Sequence, residues 1–176
     1  MRISTTIGVA MLLLGAPIAH AAGHAHVHGV AKLDIAVEAT RLTVQLESPL
    51  DNLVGFERAP RTDGERKLVA AAVAKLRAAQ QVFAIDPVAQ CTLANVELSS
   101  AALKLGTPDP QEEKDGHADI DGSFEFTCVD ATKAAFIDVA LFDFARLQRL
   151  EVQVAAPRGQ FKRDLKRPAN RIALTK

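Results

Sequence analysis

Apolar and polar side chains alternate from Val30 to Glu38, with Ala31, Leu33, Ile35 and Val37 on one side and Lys32, Asp34 and Glu38 among the others. A period of two is the mark of a half-buried strand. Arg41 to Glu47 repeats it, with Leu42, Val44 and Leu46 facing one way and Thr43, Gln45 and Glu47 the other. The short link Glu38-Ala39-Thr40 predicts that the two runs form an antiparallel hairpin. Ser48-Pro49 is expected to stop the second strand, because proline brings no N–H to a ladder.

The period changes after Thr62. Thr62-Asp63-Gly64-Glu65 reads as a capping box, in which the threonine hydroxyl and the glutamate each satisfy an amide of the first turn. Val69, Val73 and Leu76 follow at helical spacing, with Ala70 to Ala72 adding propensity, so a helix is expected to about Gln81. Strand patterns return at Gln90 to Leu98 and at Ile120 to Val129, one cysteine in each. The acidic, proline-bearing stretch around Gly106 to Gly116 reads as a loop. Val152 to Ala156 and Gln160 to Leu165 flank Pro157-Arg158-Gly159, a hairpin turn. Runs of strands around one long helix predict an α+β fold: a mostly antiparallel sheet, that helix and short helical turns.

The first residues read differently. Arg2 is the only side-chain charge before an apolar stretch from Ile7 to Ile18, and Ala19-His20-Ala21 supplies a small-x-small cleavage site. That order predicts a secretory signal peptide over residues 1–21. The stretch carries Gly8, Gly15 and Pro17 and is too short to span a bilayer. Residues 22–176 are then one exported, periplasmic domain, without an integral membrane segment. An exported chain with two cysteines is expected to close one structural disulfide, Cys91–Cys128.

Composition narrows the choice. At 48% apolar and 24% charged, the chain carries enough apolar surface for a folded core. Twenty-one basic residues balance twenty-one acidic ones, so no overall field draws the chain to nucleic acid. With eight Phe but no Trp or Tyr, single-strand stacking platforms are disfavoured too. The charge is uneven: Arg158 to Lys176 is basic and Glu97 to Asp130 acidic. The basic end could meet anionic lipid or a partner's acidic face, and the favoured reading is lysine and arginine along strand edges that deter edge pairing.

The histidines carry the chemistry. His24-Ala25-His26-Val27-His28 places three imidazoles at i, i+2 and i+4, which point to one side of an extended chain. Imidazole suits zinc, copper and nickel, so the triplet predicts a metal ion without choosing it. His117, with Asp119 two residues on, adds a candidate nitrogen and oxygen ligand. Cleavage after Ala21 would make Ala22-Gly23-His24 the new terminus, whose amine, two amides and imidazole can close a square plane for Cu(II) or Ni(II). Catalysis is not expected: the chain lacks G-x-S-x-G, H-E-x-x-H, a Walker loop and G-x-G-x-x-G. Ser48 and Asp51 suit a triad by type, but nothing in the sequence positions a histidine near them. Asp34 and Glu38 are expected to face water.

Two stretches resemble a known family. His26-Val27-His28-Gly29-Val30-Ala31-Lys32-Leu33-Asp34-Ile35-Ala36-Val37 and Leu46-Glu47-Ser48-Pro49-Leu50-Asp51-Asn52-Leu53-Val54-Gly55-Phe56-Glu57 are similar to the ZrgA-like bacterial periplasmic zinc-uptake proteins. His117 to Ile120, Phe126 to Cys128 and Gln153 to Gly159 look similar as well. The resemblance implies a non-catalytic accessory protein that binds zinc and assists its acquisition, with a component of a zinc importer as its partner. One departure matters. Relatives often carry a long His-, Asp- and Glu-rich tract where this chain has Thr107 to Gly116 without a histidine, which puts multi-ion capacity in doubt. A metal-independent partner-binding module, or a copper or nickel protein, is the alternative.

Overall fold

The computed structural model describes residues 27–108 and 118–175. The expected signal peptide and the ligand candidates His24, His26 and His117 lie outside the described residues. Strands β1 (Val30–Val37) and β2 (Arg41–Pro49) form the expected hairpin, in register from Lys32↔Glu47 to Val37↔Leu42. The alternation has the predicted consequence: Leu33, Ile35, Leu42 and Val44 are buried, while Lys32 and Glu47 pair on the opposite face, 2.7 Å apart. Strand β2 ends at Pro49, as expected, with the proline itself still paired with Asp119. The next amide, Leu50 N–H, donates to Ala118 C=O, so a proline N–H would have pointed away from that neighbour. On that other side the pairing with β1 has already ended at Glu47, so the missing donor is not required.

A short helix, α1 (Leu50–Val54), follows directly. The long helix α2 (Asp63–Arg77) starts on the expected capping box, with Thr62 Oγ1 accepting from Glu65 N–H and Glu65 accepting from Thr62 N–H. Lys75 and Arg77 in its last turn complement the helix dipole. It ends four residues before the expected Gln81. At Ala78 the N–H is shared between the Ala74 and Lys75 carbonyls, and the chain turns into a separate helix α3 (Ala79–Val82). The turn delivers Phe83 to strand β3 (Phe83–Ile85).

Strands β4 (Cys91–Ser99) and β5 (Asp119–Cys128) pair antiparallel, with Cys91 directly opposite Cys128 and bridged to it as expected. The rest of the chain supplies β6 (Phe136–Val139), β7 (Arg149–Ala156), β8 (Gly159–Lys166) and β9 (Arg171–Ala173). Among the described residues six strands form one sheet in the order β4-β5-β2-β1-β7-β8, and three form a second in the order β3-β6-β9. The fold is therefore α+β and dominated by antiparallel pairing; β1 with β7 is the parallel exception among the described strands.

The core lies between the buried face of the large sheet and the elements laid across it. Phe83 of β3 meets Phe124 of β5 ring to ring, 4.9 Å between centroids, tying the two sheets together. Leu76 of α2 and Val82 of α3 are buried in the same cluster. Each such side chain contributes roughly 1.5–3 kcal/mol of hydrophobic stabilisation. Among the described residues no helix is long and apolar enough to cross a membrane. The register gathers the start of β1, the end of β2, the start of β5 and the start of β7 at one end of the large sheet. The candidate site is there.

Candidate metal centre

The chain enters β1 through a turn. Val30 N–H donates to Val27 C=O, 3.1 Å, and Gly29 has φ +81°, a left-handed conformation that glycine adopts without a Cβ clash. His28 therefore sits on a turn, and the extended geometry expected for the histidine triplet does not reach it. The turn is fixed from two sides. Gly29 C=O accepts from Gln148 N–H and Arg149 N–H, at 2.8 and 2.9 Å. Opposite, the buried Asn52 of α1 accepts from Gly29 N–H at 2.6 Å and donates to Val30 C=O at 2.8 Å and Ser48 Oγ at 3.2 Å. Helix α1 closes on Gly55, φ +85°, whose N–H donates to Asp51 C=O, 3.0 Å.

Two carboxylates, from Glu57 and Asp51, lie beside the exposed His28 ring. Its Nε2 lies 2.8 Å from Glu57 Oε1, and its Nδ1 lies 3.8 Å from Asp51 Oδ2. Asp51 is only 9% exposed and is gripped by the Arg146 fork, with Nε to Oδ2 at 3.0 Å and Nη2 to Oδ1 at 2.9 Å. Paired oxygens on a planar guanidinium are the strong form of this contact. A buried carboxylate needs such a partner, because an isolated charge there would be costly.

Glu57 owes its position to the helix that follows. Arg58 lies over the Phe56 ring, 4.9 Å from its centre, and forks onto Glu65 with Nη1 to Oε2 at 3.0 Å and Nη2 to Oε1 at 2.7 Å. Arg58, then the Arg61 and Thr62 N–H groups, hold the Glu65 carboxyl down to about 2. The capping glutamate of α2 thus anchors the loop that presents Glu57.

Imidazole nitrogen and carboxylate oxygen are both good zinc donors. Two ligands on a tetrahedral zinc, each about 2.0 Å from the ion, stand about 3.3 Å apart. The 2.8 Å separation of His28 Nε2 and Glu57 Oε1 needs only a small opening to admit the ion between them. Among the described residues no three of His, Cys, Asp and Glu converge as a ready metal site.

Of the predicted ligands, His28 and Asp119 lie among the described residues. Asp119 begins β5, is buried and pairs with Pro49, two positions before Asp51. It does not join His28 in a group of three. The square-planar copper or nickel site would rest on residues 22–24, outside the described residues. One expectation is corrected: a histidine does stand near Asp51. Ser48 is nevertheless fully buried, with its hydroxyl between Asn52 Nδ2 and Pro49 C=O, so Ser48, His28 and Asp51 do not form a relay. Asp34 faces water, as expected, and Glu38 pairs with Arg41 at 3.0 Å. The basic β8 is an edge of the large sheet, which agrees with its reading as a charged edge.

Sequence reasoning missed Glu57 and Arg146 as members of the site. Glu57 lies 29 positions from His28 and Arg146 lies 95 positions from Asp51, beyond any spacing rule for ligands. The signal available was the Glu47-to-Glu57 stretch, which holds Asn52, Asp51 and Glu57 together. A family model described as "ZrgA family zinc uptake protein" matches residues 25–174. No curated protein matches the chain.

Proposed function

The chain belongs to the ZrgA family of zinc uptake proteins, and from that premise we propose that it is a periplasmic zinc-binding accessory protein that passes the ion to an importer. The observation that carries this reading is the His28–Glu57 donor pair, 2.8 Å apart and held in place from both flanks. In this reading His28 Nε2 and Glu57 bind the ion, and His24, His26 and His117 are the candidates for further nitrogens. Zinc is labile with such mixed ligands at a solvent-exposed ring, which suits a protein that must give its cargo up. The role is binding, not catalysis. The Cys91–Cys128 bridge supports an exported location, where thiols oxidise and stay oxidised.

The test is zinc titration of the mature protein against a chromophoric chelator. His28→Ala and Glu57→Gln should each weaken zinc binding, and a His24/His26/His28→Ala triple variant should abolish it. Unchanged affinity in both single variants would remove this pair from the metal site. Equal weak binding by the intact protein and the triple variant would remove the zinc-carrier reading altogether.

A further inference from the structure

Among the described residues the large sheet ends on β8, and that border carries an excess of positive charge. We propose that the outer border of β8 is a docking edge for an acidic, extended segment of a partner protein, which adds to the sheet as a further antiparallel strand. The proposal is independent of zinc at His28.

The backbone suits such an addition. Strand β8 pairs with β7 without a register break, from Gly159↔Ala156 to Lys166↔Arg149. The opposite edge, β4, is interrupted by a register shift between Leu93 and Asn95, and the edge strands of the second sheet, β3 and β9, are three residues long. One step beyond the last β7–β8 pair, Arg167 N–H donates to Gln148 C=O at 3.3 Å. Bonded residues alternate along an antiparallel ladder, so Gln160, Lys162, Asp164 and Lys166 turn their N–H and C=O groups away from β7. An extended chain can satisfy them, and a ladder of this kind reads no sequence.

Charge supplies the selection. Arg158, Lys162, Arg163 and Lys166 stand against a single acid, Asp164, and Arg149 already holds that acid at 3.3 Å. Lys162 and Lys166 are exposed and share the solvent face of the strand. On the other face Arg163 lies over the Phe161 ring, 4.7 Å from its centre, and its Nε has no acceptor among the described residues. A second copy of β8 would bring the same excess of cations and is repelled, because like charges opposite each other destabilise a strand pair. A segment with acids at i and i+4 meets Lys162 and Lys166, with a small uncharged residue between them opposite Asp164. Apolar residues at the alternate positions lie on the Phe161 side. Lys166 pairs with Arg149 and Arg149 with Val30, so this edge reaches the same end of the sheet as the turn that carries His28. A strand added there runs about 14 Å from β1, three strand spacings away.

The probe is a peptide of sequence Glu-Val-Ser-Val-Glu-Val-Ser-Val-Glu, blocked at both ends and titrated into the intact protein. Amide hydrogen exchange should slow at Gln160, Lys162, Asp164 and Lys166. Lys162→Glu/Lys166→Glu should weaken binding by roughly tenfold, as two attractive cross-strand pairs become repulsive. The same peptide with Lys in place of Glu should not bind. N-methylation of the peptide's Glu and Ser amides, which face β8, should abolish binding, whereas N-methylation of its Val amides, which face water, should not. Equal effects of the two methylations would overturn the proposal, since the contact would then be charge without a ladder. Unchanged binding by the charge-reversed variant would overturn it too. So would an unbound peptide, whether or not phosphatidylglycerol vesicles bind in its place. The methylation arm uses the unaltered protein, so a variant that fails to fold leaves the test standing.

Discussion

Replacing Asn52 with alanine should destabilise the protein by about 3 kcal/mol, from three hydrogen bonds at roughly 1 kcal/mol each. Asn52 is 1% exposed and joins three segments: Gly29 in the entry turn, Val30 in β1 and Ser48 in β2. Alanine leaves the Gly29 N–H and the Val30 C=O without this partner, and both groups are too enclosed for water to replace it fully. Ser48 keeps its contact with Pro49 C=O, so Ser48→Ala should cost only about 1 kcal/mol. Asn52→Asp is the sharper variant. It preserves the acceptor for Gly29 N–H but sets a buried negative charge against the Val30 carbonyl and beside Asp51, and should cost at least as much as alanine at neutral pH. Urea denaturation reads these differences as shifts in midpoint at constant slope. Because His28 adjoins Gly29, zinc affinity should fall with Asn52→Ala as well. A cost below about 1 kcal/mol for Asn52→Ala would show that water or a neighbouring group replaces these bonds, and that the turn is held by Gln148 and Arg149 alone.

Other outcomes can be checked independently. Cys91→Ser/Cys128→Ser should lower stability by about 4 kcal/mol on the loop-entropy account, and intact protein should resist alkylation until reduced. Thr62→Ala should cost about 1 kcal/mol by uncapping α2, measured by thermal or urea unfolding. The Glu65 carboxyl lies below its ordinary 4.5, so its contribution is complete above that value and is lost as pH falls toward about 2. A carbon-13 titration should place its midpoint near 2, and Arg58→Met should return it toward 4.5; a wild-type midpoint above 4 would contradict the Arg58 fork.

The strands that alternate for seven residues or more, β1 and β2, were legible because each places its apolar set on one buried face. The capping box was legible because its logic lies within four residues. The second sheet was not: β3, β6 and β9 have three or four residues each, too few to establish a period. The parallel partnership of β1 with β7 was hidden for another reason, since it joins Val30 to Arg149 across most of the chain. The site divides along the same line. His28 announced itself by its chemistry. Glu57 and Arg146 are ordinary charged residues by type, and only the fold brings them to the ring and to Asp51.

The place of β1 in the sheet also constrains the order in which this molecule can assemble. A chain that emerges N-terminus first presents β1 and β2 early, and the hairpin can close on its own. The other border of β1 must wait for β7, the last third of the polypeptide, and until then its backbone groups have no sheet partner. Such distant pairing is slow to form and leaves an open strand border while it is pending. Arg146 arrives on the same late segment, three residues ahead of β7. The carboxylate of Asp51 is thus without its guanidinium until the central pairing completes.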